Sequence, residues 1–182
     1  MARTKVLVTG IAGTIGGIVH KYLGEVYDLT GLDLSPVEGI PSHVADLSDL
    51  GALKPAFAGQ EVVVHLAADA SGEAPWDSVL QNNIVGTYNV MEASRVAGVG
   101  RVVFASTNHV TGFYEKEGTY TTPDMPIRPD SMYGVSKAFG EALGRFYHDA
   151  YGMSVYCVRI ANFPNTDEVN TKFEPGLNRW LS

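Results

Sequence analysis

Thr9-Gly10-Ile11-Ala12-Gly13-Thr14-Ile15-Gly16 is the stretch of sequence that decides the fold. An apolar run of strand length, Lys5–Thr9, precedes it, and a segment with helical periodicity, Thr14–Leu23, follows it. In such a strand–turn–helix unit the first glycine permits a tight turn, the second lets the backbone approach a pyrophosphate, and the third lets the helix pack closely on the sheet. The free N–H groups at the helix start would face the phosphates. The stretch therefore predicts a dinucleotide-binding loop in which residues 10–16 contact the cofactor.

Strand-length apolar runs alternate with amphipathic segments along the rest of the chain. Continuous apolar strands in β-α alternation predict an α/β, Rossmann-like, doubly wound parallel sheet that is covered on both faces. In such sheets, ligands bind beyond the carboxyl ends of the strands. The second helix should be capped by Ser48, and residues 107–131 should form a long loop. We predict strands over residues 5–9, 29–32, 44–45, 62–67, 101–106 and 154–160, and helices over residues 14–23, 49–57, 76–96 and 132–151.

The length and composition fit one domain over residues 1–182, and the glycine loop predicts that it is a dinucleotide-binding, Rossmann-like domain. That length allows a full core, and contents of 45% apolar and 18% charged residues exclude a disordered or fibrous chain. Since the net charge is −7 and no basic patch is evident, we expect no nucleic-acid partner. No apolar run approaches the roughly 20 residues that span a bilayer, so we expect no membrane partner.

Cysteine, histidine and carboxylate spacing says little about redox or metal chemistry. The single cysteine, Cys157, cannot form an internal disulfide, which fits a reducing, cytoplasmic location. No cluster of His, Cys and carboxylates has metal-ligand spacing, and we expect no metal.

Small and acidic residues follow the predicted strands where a nucleotide would lie. Asp33 lies about 20 residues beyond the glycines, where a carboxylate can accept hydrogen bonds from ribose hydroxyls. No lysine or arginine occurs between residues 22 and 53, so nothing nearby in sequence would pair with a 2′-phosphate, and NAD is the expected cofactor. Asp46 and Leu47 could hold the adenine edge, although helix capping explains Asp46 almost equally well. Ala67 and Ala68 offer the small side chains that a cofactor crossing the strand ends needs.

Tyr133 and Lys137 form a Y-x-x-x-K motif at the start of a predicted helix, and the i, i+4 spacing places them on one face. An ammonium about 4 Å from a phenol is worth roughly 4 kcal/mol at an effective dielectric constant of 20. That interaction would lower the phenol pKa from about 10 to about 7. We therefore predict that Tyr133 takes a hydroxyl proton while the carbon gives its hydride to NAD, with Lys137 as its partner.

Polar residues near this motif are candidate site residues as well. Thr107 could hydrogen-bond the substrate oxygen and orient Tyr133, as a third catalytic residue. Asn108 and His109 could bind further substrate hydroxyls or could cap the loop. Asn83, on the preceding helix, could support the cofactor site behind Lys137 or could simply pack against the sheet.

The glycine loop, Asp33, Thr107, Tyr133 and Lys137 together resemble the motifs of the extended short-chain dehydrogenase/reductase family, also called the NAD-dependent epimerase/dehydratase family. The resemblance covers the whole chain. Residues 104–114 and 128–137 and the pair Arg159-Ile160 are similar to segments of bacterial uronate dehydrogenases, which oxidise C1 of a hexuronate to a lactone with NAD⁺. Related archaeal sugar dehydrogenases share the pattern. The resemblance implies substrate contacts at Ser71, Thr107, Asn108, His109 and Tyr133.

Two positions depart from the uronate dehydrogenase pattern and leave the sugar open. Asn162 stands where those enzymes have a serine after the Arg-Ile pair, and we keep it as a predicted substrate contact. The arginine that grips the uronate carboxylate has no clear equivalent, with Lys172 and Arg179 as candidates. The substrate could therefore be a hexuronate, a neutral sugar or a sugar phosphate.

Two other functions compete with oxidation of a sugar C1 hydroxyl. The same scaffold serves nucleotide-sugar epimerases and dehydratases, but dehydratases of the family place an Asp-Glu pair where this chain has Asn108-His109. A non-catalytic NAD-binding regulatory module is the third hypothesis. Such modules can lose the tyrosine–lysine pair, which this chain keeps.

The sequence after Ile160 predicts an incomplete substrate region, because residues 161–182 contain no further strand of convincing length. Relatives in the family continue into another strand, a helix and much of the substrate lid. We therefore expect the C-terminal substrate region to be largely absent. The chain is then either truncated at its C-terminus or covered by a partner subunit, for example in a homo-oligomer.

Overall fold

A parallel six-stranded sheet organises residues 2–161, the part of the chain that the computed structural model describes. Its strands are β1 Lys5–Thr9, β2 Asp28–Asp33, β3 Ser42–Val44, β4 Val62–His65, β5 Arg101–Thr107 and β6 Ser154–Ile160. The strand order is β3-β2-β1-β4-β5-β6, and every neighbouring pair is parallel. This order reverses between β1 and β4, so the switch point where ligands bind lies beyond the ends of these two strands.

The helices that connect the strands are α1 Thr14–Leu23, α2 Leu50–Phe57, α3 Trp76–Ser78, α4 Gly86–Ala97, α5 Gly112–Lys116 and α6 Met132–Tyr151. The predicted bounds of β1, α1, α6 and β6 are confirmed. The predicted helix over residues 76–96 contains a π-helical segment, Val79–Val85, between α3 and α4. The predicted loop over residues 107–131 contains α5 and, before it, the 3-10 turn Asn108–Thr111. None of the helices within the described residues is long and apolar enough to cross a bilayer.

The predicted cap of α2 is wrong. Asp49, not Ser48, is the N-cap residue, and its Oδ1 accepts a hydrogen bond from Ala52 N at 3.1 Å. The Ser48 hydroxyl instead donates to Asp46 Oδ1 at 2.8 Å, so it is not available to the helix. Two neighbouring carboxylates thus divide the roles that the sequence left ambiguous: Asp49 caps the helix and Asp46 holds the preceding turn.

Both faces of the sheet are covered, because side chains alternate along β1. Leu7 joins a larger core that α2, α4 and α6 complete with Phe57, Met91 and Tyr147. Val6 and Val8 point to a smaller core, against which Val19 of α1 packs. The α/β, Rossmann-like, doubly wound fold is therefore confirmed. The expectation about the C-terminal substrate region concerns residues 162–182, which lie outside the described part of the chain.

Candidate active site

The loop after β1 leaves the start of α1 open to an anion. Gly10 has φ +73°, and a Cβ there would lie 2.6 Å from Ala67 N, so only glycine fits. Gly13 is the N-cap residue of α1 and makes no side-chain cap hydrogen bond. A Cβ on Gly13 would meet only Gly10 O, at 3.3 Å, among the described residues. The first backbone N–H groups of α1 therefore face open space, as phosphate binding requires.

Asp33 is tied to the glycine loop as well as placed beside it. Its Oδ2 accepts from Ala12 N at 2.9 Å, and its Oδ1 accepts from Leu34 N at 2.8 Å. Each carboxylate oxygen keeps a second lone pair for a ribose hydroxyl. Ile11, by contrast, is 1% exposed and packs into the smaller core, so only its backbone belongs to the loop.

A cleft of about 480 Å³, here called the Asp33 cleft, opens on one side of the glycine loop. The pKa of Asp46 in its wall lies below the usual range, because the backbone and side chain of Ser48 donate to its carboxylate. Among the described lining residues there is no lysine or arginine. The lining residues are Gly10, Ala12, Gly13, Leu32, Asp33, Leu34, Ala45, Asp46, Leu47, Leu66, Ala67, Ala68, Asp69 and Asn82.

A second cleft of about 480 Å³, the Tyr133 cleft, adjoins the first and shares Gly10, Gly13, Leu66 and Ala68 with it. Its wall brings together residues that are far apart in sequence, from the start of α1, the end of β5, the 3-10 turn and α6. They include Thr14, Ile15, Gly16, Thr107, Asn108, His109, Tyr133 and Lys137. The structure thus places the predicted catalytic residues in one cleft, together with the predicted substrate contacts Asn108 and His109.

Tyr133 does not have the lowered pKa that the sequence predicts for the pair by itself. Burial raises the pKa of the phenol, and a hydrogen bond with Thr107 offsets only part of that effect. Lys137 Nζ lies 5.7 Å from the centroid of the Tyr133 ring, and its charge does not offset the effect of burial on the phenol pKa. The hydroxyl of Thr107 is therefore the direct partner of Tyr133 in this cleft.

Lys137 is 3% exposed, and burial lowers its pKa to about 8. Its Nζ lies 4.9 Å from the centroid of the Phe104 ring, a cation–π distance. No hydrogen bond joins Nζ to any other residue within 2–161. Because a buried ammonium without acceptors is costly, this group is suited to hold ligand hydroxyls in the cleft.

Asn83 and Ser71 do not line either cleft in the described part of the chain. Asn83 is 1% exposed. Its Oδ1 accepts a hydrogen bond from Asp69 N at 2.8 Å, and its Nδ2 donates to Asp69 O at 2.9 Å and to Ser136 Oγ at 3.0 Å. It thereby ties the loop after β4 to α6, beside Lys137. Ser71 is exposed on that loop, where its N donates to Asp69 Oδ1. Asn162, Lys172 and Arg179 lie outside the described residues.

His65 is buried between Thr9 and Thr87 behind the strand ends, and its supporting role was not predicted from the sequence. Its Nδ1 lies 2.7 Å from Thr9 Oγ1, which also accepts from Ala67 N, and its Nε2 lies 3.2 Å from Thr87 Oγ1. Burial, assisted by the charge of Lys137, lowers the pKa of His65 to about 3. The ring is therefore neutral and joins the ends of β1 and β4. A histidine inside an apolar strand, residues 62–65, was the signal.

Glu141 makes a second missed support. Its carboxylate accepts from the Ser106 hydroxyl and from Arg159 Nε at 2.9 Å and Arg159 Nη2 at 2.8 Å. Burial raises the pKa of Glu141, but the hydrogen bonds from Arg159 and Ser106 outweigh it and lower the pKa overall. The carboxylate thus holds the carboxyl ends of β5 and β6 against α6. Its position one turn after Lys137 on α6 could have indicated this.

Comparison with known proteins agrees with this geometry. The NAD dependent epimerase/dehydratase family matches residues 6–173. The chain belongs to this family. Its members are NAD-dependent, and the family resemblance expected from the sequence is confirmed.

Within the family, several similar proteins act on sugars. An L-arabinose 1-dehydrogenase (NAD(P)(+)) of Haloferax volcanii is 43% identical over 93% of this chain and 71% of its own length. An NAD-dependent glucose-6-phosphate dehydrogenase of the same organism is 42% identical over 97% of this chain and 75% of its own length. A solved mutant uronate dehydrogenase from Agrobacterium tumefaciens, complexed with NAD, is 40% identical with a TM-score of 0.78. That alignment covers 85% of this chain but only 59% of the solved one.

Proposed function

We propose that the protein is an NAD-dependent oxidoreductase that oxidises the C1 hydroxyl of a sugar or hexuronate to a lactone. The observation that carries the proposal is the junction of the two clefts at the glycine loop. One cleft holds a carboxylate suited to a ribose, and the other holds Thr107, Tyr133 and Lys137 on one wall. Membership in an NAD-dependent family and similarity to sugar dehydrogenases support the proposal.

NAD fits the described residues in parts. The open start of α1 would hold the pyrophosphate, and Asp33 would accept from the hydroxyls of the adenosine ribose. Asp46 and Leu47 would lie along the adenine edge, and Lys137 would donate to the second ribose. The small side chains of Ala67 and Ala68 leave space across the strand ends. When bound, NAD accepts the hydride that leaves C1 of the sugar.

Proton transfer falls to the side chains of the Tyr133 cleft. The Tyr133 phenolate would take the proton of the C1 hydroxyl, and the Thr107 hydroxyl would orient both oxygens. Since burial disfavours a lone phenolate, the Lys137 ammonium is the cationic group in the cleft that can stabilise it. For a separation of about 4–6 Å between the two charges and an effective dielectric constant of 20, that attraction would be about 3–4 kcal/mol.

Asn108 and His109 would contact hydroxyls of the sugar ring, because both line the Tyr133 cleft next to Thr107. These two residues stand where a dehydratase of the family would have an Asp-Glu pair, so the pair that dehydration needs is missing at this position. Ser71 is a further proposed contact, because it is exposed on the loop after β4 and can reach a ligand.

The test is a substrate panel with the full chain and NAD⁺, followed at the absorbance of NADH. Glucuronate, galacturonate, arabinose, glucose and glucose 6-phosphate cover the anionic and neutral classes, and UDP-glucose represents nucleotide-linked sugars. We expect turnover of at least one free sugar and none of UDP-glucose. Activity on UDP-glucose alone, or NAD that stays bound through purification together with epimerisation, would overturn the proposal.

A further inference from the structure

We propose that Asp130 and Lys116 hold His109 as one neutral tautomer whose Nε2 accepts a hydrogen bond from a hydroxyl of the sugar. The inference rests on the proposed function and deepens it, since it names the group that this part of the cleft recognises. His109 would contact the substrate. Asp130 and Lys116 would act through it, as positioning residues.

The geometry sets the position of one proton. His109 Nδ1 lies 2.8 Å from Asp130 Oδ1, and Lys116 Nζ lies 3.2 Å from Asp130 Oδ2. Burial raises the pKa of Asp130, but the hydrogen bonds from His109 and Lys116 outweigh it and lower the pKa overall. An ionised carboxylate can only accept, so the proton between the two groups belongs to Nδ1 of the imidazole.

Close packing holds Asp130 beside His109, whose side chain is 41% exposed. The Asp130 side chain is 8% exposed, and a Cβ on Gly112 would lie 2.5 Å from its Oδ2. The His109 ring meets the Tyr133 ring edge-on, with centroids 5.9 Å apart and planes at 70°. A Cβ on Gly134 would lie 2.5 Å from His109 O. Glycines on α5 and α6 thus allow both neighbours to approach the histidine and its carboxylate closely.

The charged groups around the imidazole come from several elements. Asp130 and Lys116 form an ion pair, so the carboxylate does not act on the imidazole as an uncompensated negative charge. Tyr133 from α6 faces the ring, and Lys137 lies in the same cleft. Glu115 accepts a hydrogen bond from Nδ2 of Asn108, the residue before His109, at 3.2 Å.

The remaining ring nitrogen is available to a ligand. Nε2 makes no hydrogen bond to a residue within the described range 2–161, and His109 lines the Tyr133 cleft. An unprotonated Nε2 accepts from a hydroxyl and repels the lone pairs of a carboxylate or phosphate. At this position the site therefore selects a hydroxyl over an anionic group.

The first test measures the tautomer directly, by ¹⁵N–¹H correlation of the His109 imidazole in the full chain, assigned with His109→Gln. We expect a protonated Nδ1 and an unprotonated Nε2 at pH 7.5, and a shift of the Nε2 resonance when a turned-over sugar is added. A protonated Nε2, or no response of that resonance to the sugar, would overturn the inference. Since the tautomer needs no turnover, a protein inactive on every sugar would refute the proposed function while this measurement still decided the tautomer.

The second test uses variants and NADH formation. Asp130→Asn is nearly isosteric, but its amide can donate to Nδ1 as well as accept from it, so it no longer enforces one tautomer. It should raise KM for the sugar about tenfold with a smaller change in kcat. Lys116→Met should raise KM for the sugar by less than Asp130→Asn does, because Lys116 is largely exposed and acts on His109 only through Asp130. Asp124→Asn, on the same loop and exposed, is the matched control. An unchanged KM in Asp130→Asn, or a KM that falls on acidification, would overturn the inference.

Discussion

The Asp33 cleft and the Tyr133 cleft adjoin at the glycine loop but are built by different means. The Asp33 cleft depends on backbone geometry: a positive φ at Gly10, an open helix start at Gly13, and two backbone N–H groups that hold Asp33. The Tyr133 cleft depends on side chains from distant elements, such as Thr107 and Lys137. The first should therefore be sensitive to an added Cβ, and the second to the loss of single polar atoms.

The largest difference between the two clefts is expected for Tyr133→Phe, which should reduce turnover but not NAD binding. Loss of the hydroxyl removes the proton acceptor but keeps the ring, so kcat should fall about 10²–10⁴-fold. The affinity for NAD, measured by calorimetry, should change little because the Asp33 cleft is untouched. Tyr120→Phe, exposed on the preceding loop, is the control. Near-normal turnover would show that Tyr133 is not the base.

Gly10→Ala should break the other cleft. A Cβ in a left-handed backbone, 2.6 Å from Ala67 N, should lower the free energy of unfolding by about 2–4 kcal/mol and weaken NAD binding. Gly17→Ala is the matched control, because a Cβ there meets nothing within 4 Å and lies in helix α1. It should be neutral or stabilise by about 0.5–1 kcal/mol. Equal effects of the two changes, measured by urea unfolding and calorimetry, would contradict the role of the loop geometry.

Lys137→Met should separate stability from function in the Tyr133 cleft. Burial lowers the pKa of Lys137 in the folded state from 10.5 to about 8. At pH 7 the ammonium is therefore less well solvated in the folded state than in the unfolded state, and this difference lowers the free energy of unfolding. The unfolded state binds more protons between about pH 8 and 10.5, and stability therefore rises with pH across that window. Removing the charge should stabilise the protein without ligand by about 1–3 kcal/mol at pH 7 and by less at pH 10. Urea unfolding at both pH values checks this, and turnover should be lost.

Absence of that pH dependence would mean that the buried ammonium is compensated by another group. Lys54→Met, on α2 with an exposed side chain, is the control and should show no such difference between pH 7 and pH 10.

The smallest effect concerns the choice of cofactor in the Asp33 cleft. Asp33→Asn removes a negative charge that would repel a 2′-phosphate, while the amide oxygen can still accept from Ala12 N. The ratio of kcat/KM with NAD⁺ to that with NADP⁺ should fall about tenfold, equivalent to about 1.4 kcal/mol. Asp28→Asn, exposed at the start of β2, should leave the ratio unchanged. A wild-type protein that already prefers NADP⁺ would refute the charge argument.

The two clefts also differ in how far the sequence predicted them. The loop after β1 and the bounds of α1 and α6 were predicted correctly, because glycine spacing and apolar periodicity act over a few residues. The cap of α2 was not, since Ser48 and Asp49 are both good caps and only the contact with Asp46 distinguishes them. The pKa of Tyr133 was predicted with the wrong sign because burial, which spacing does not report, exceeds the local effects.

By itself, the sequence determined the doubly wound fold, the glycine-rich loop after β1 and the Tyr133–Lys137 spacing, since each follows from short-range geometry along one or two elements. Only the tertiary structure joined His109 to Asp130, 21 residues apart, and placed neutral His65 between the ends of β1 and β4. These pairs come from loops and strands whose approach depends on the packed sheet. The lowered pKa values of His65 and Asp130 depend on burial, hydrogen bonds and neighbouring charge, which exist only once the chain has folded.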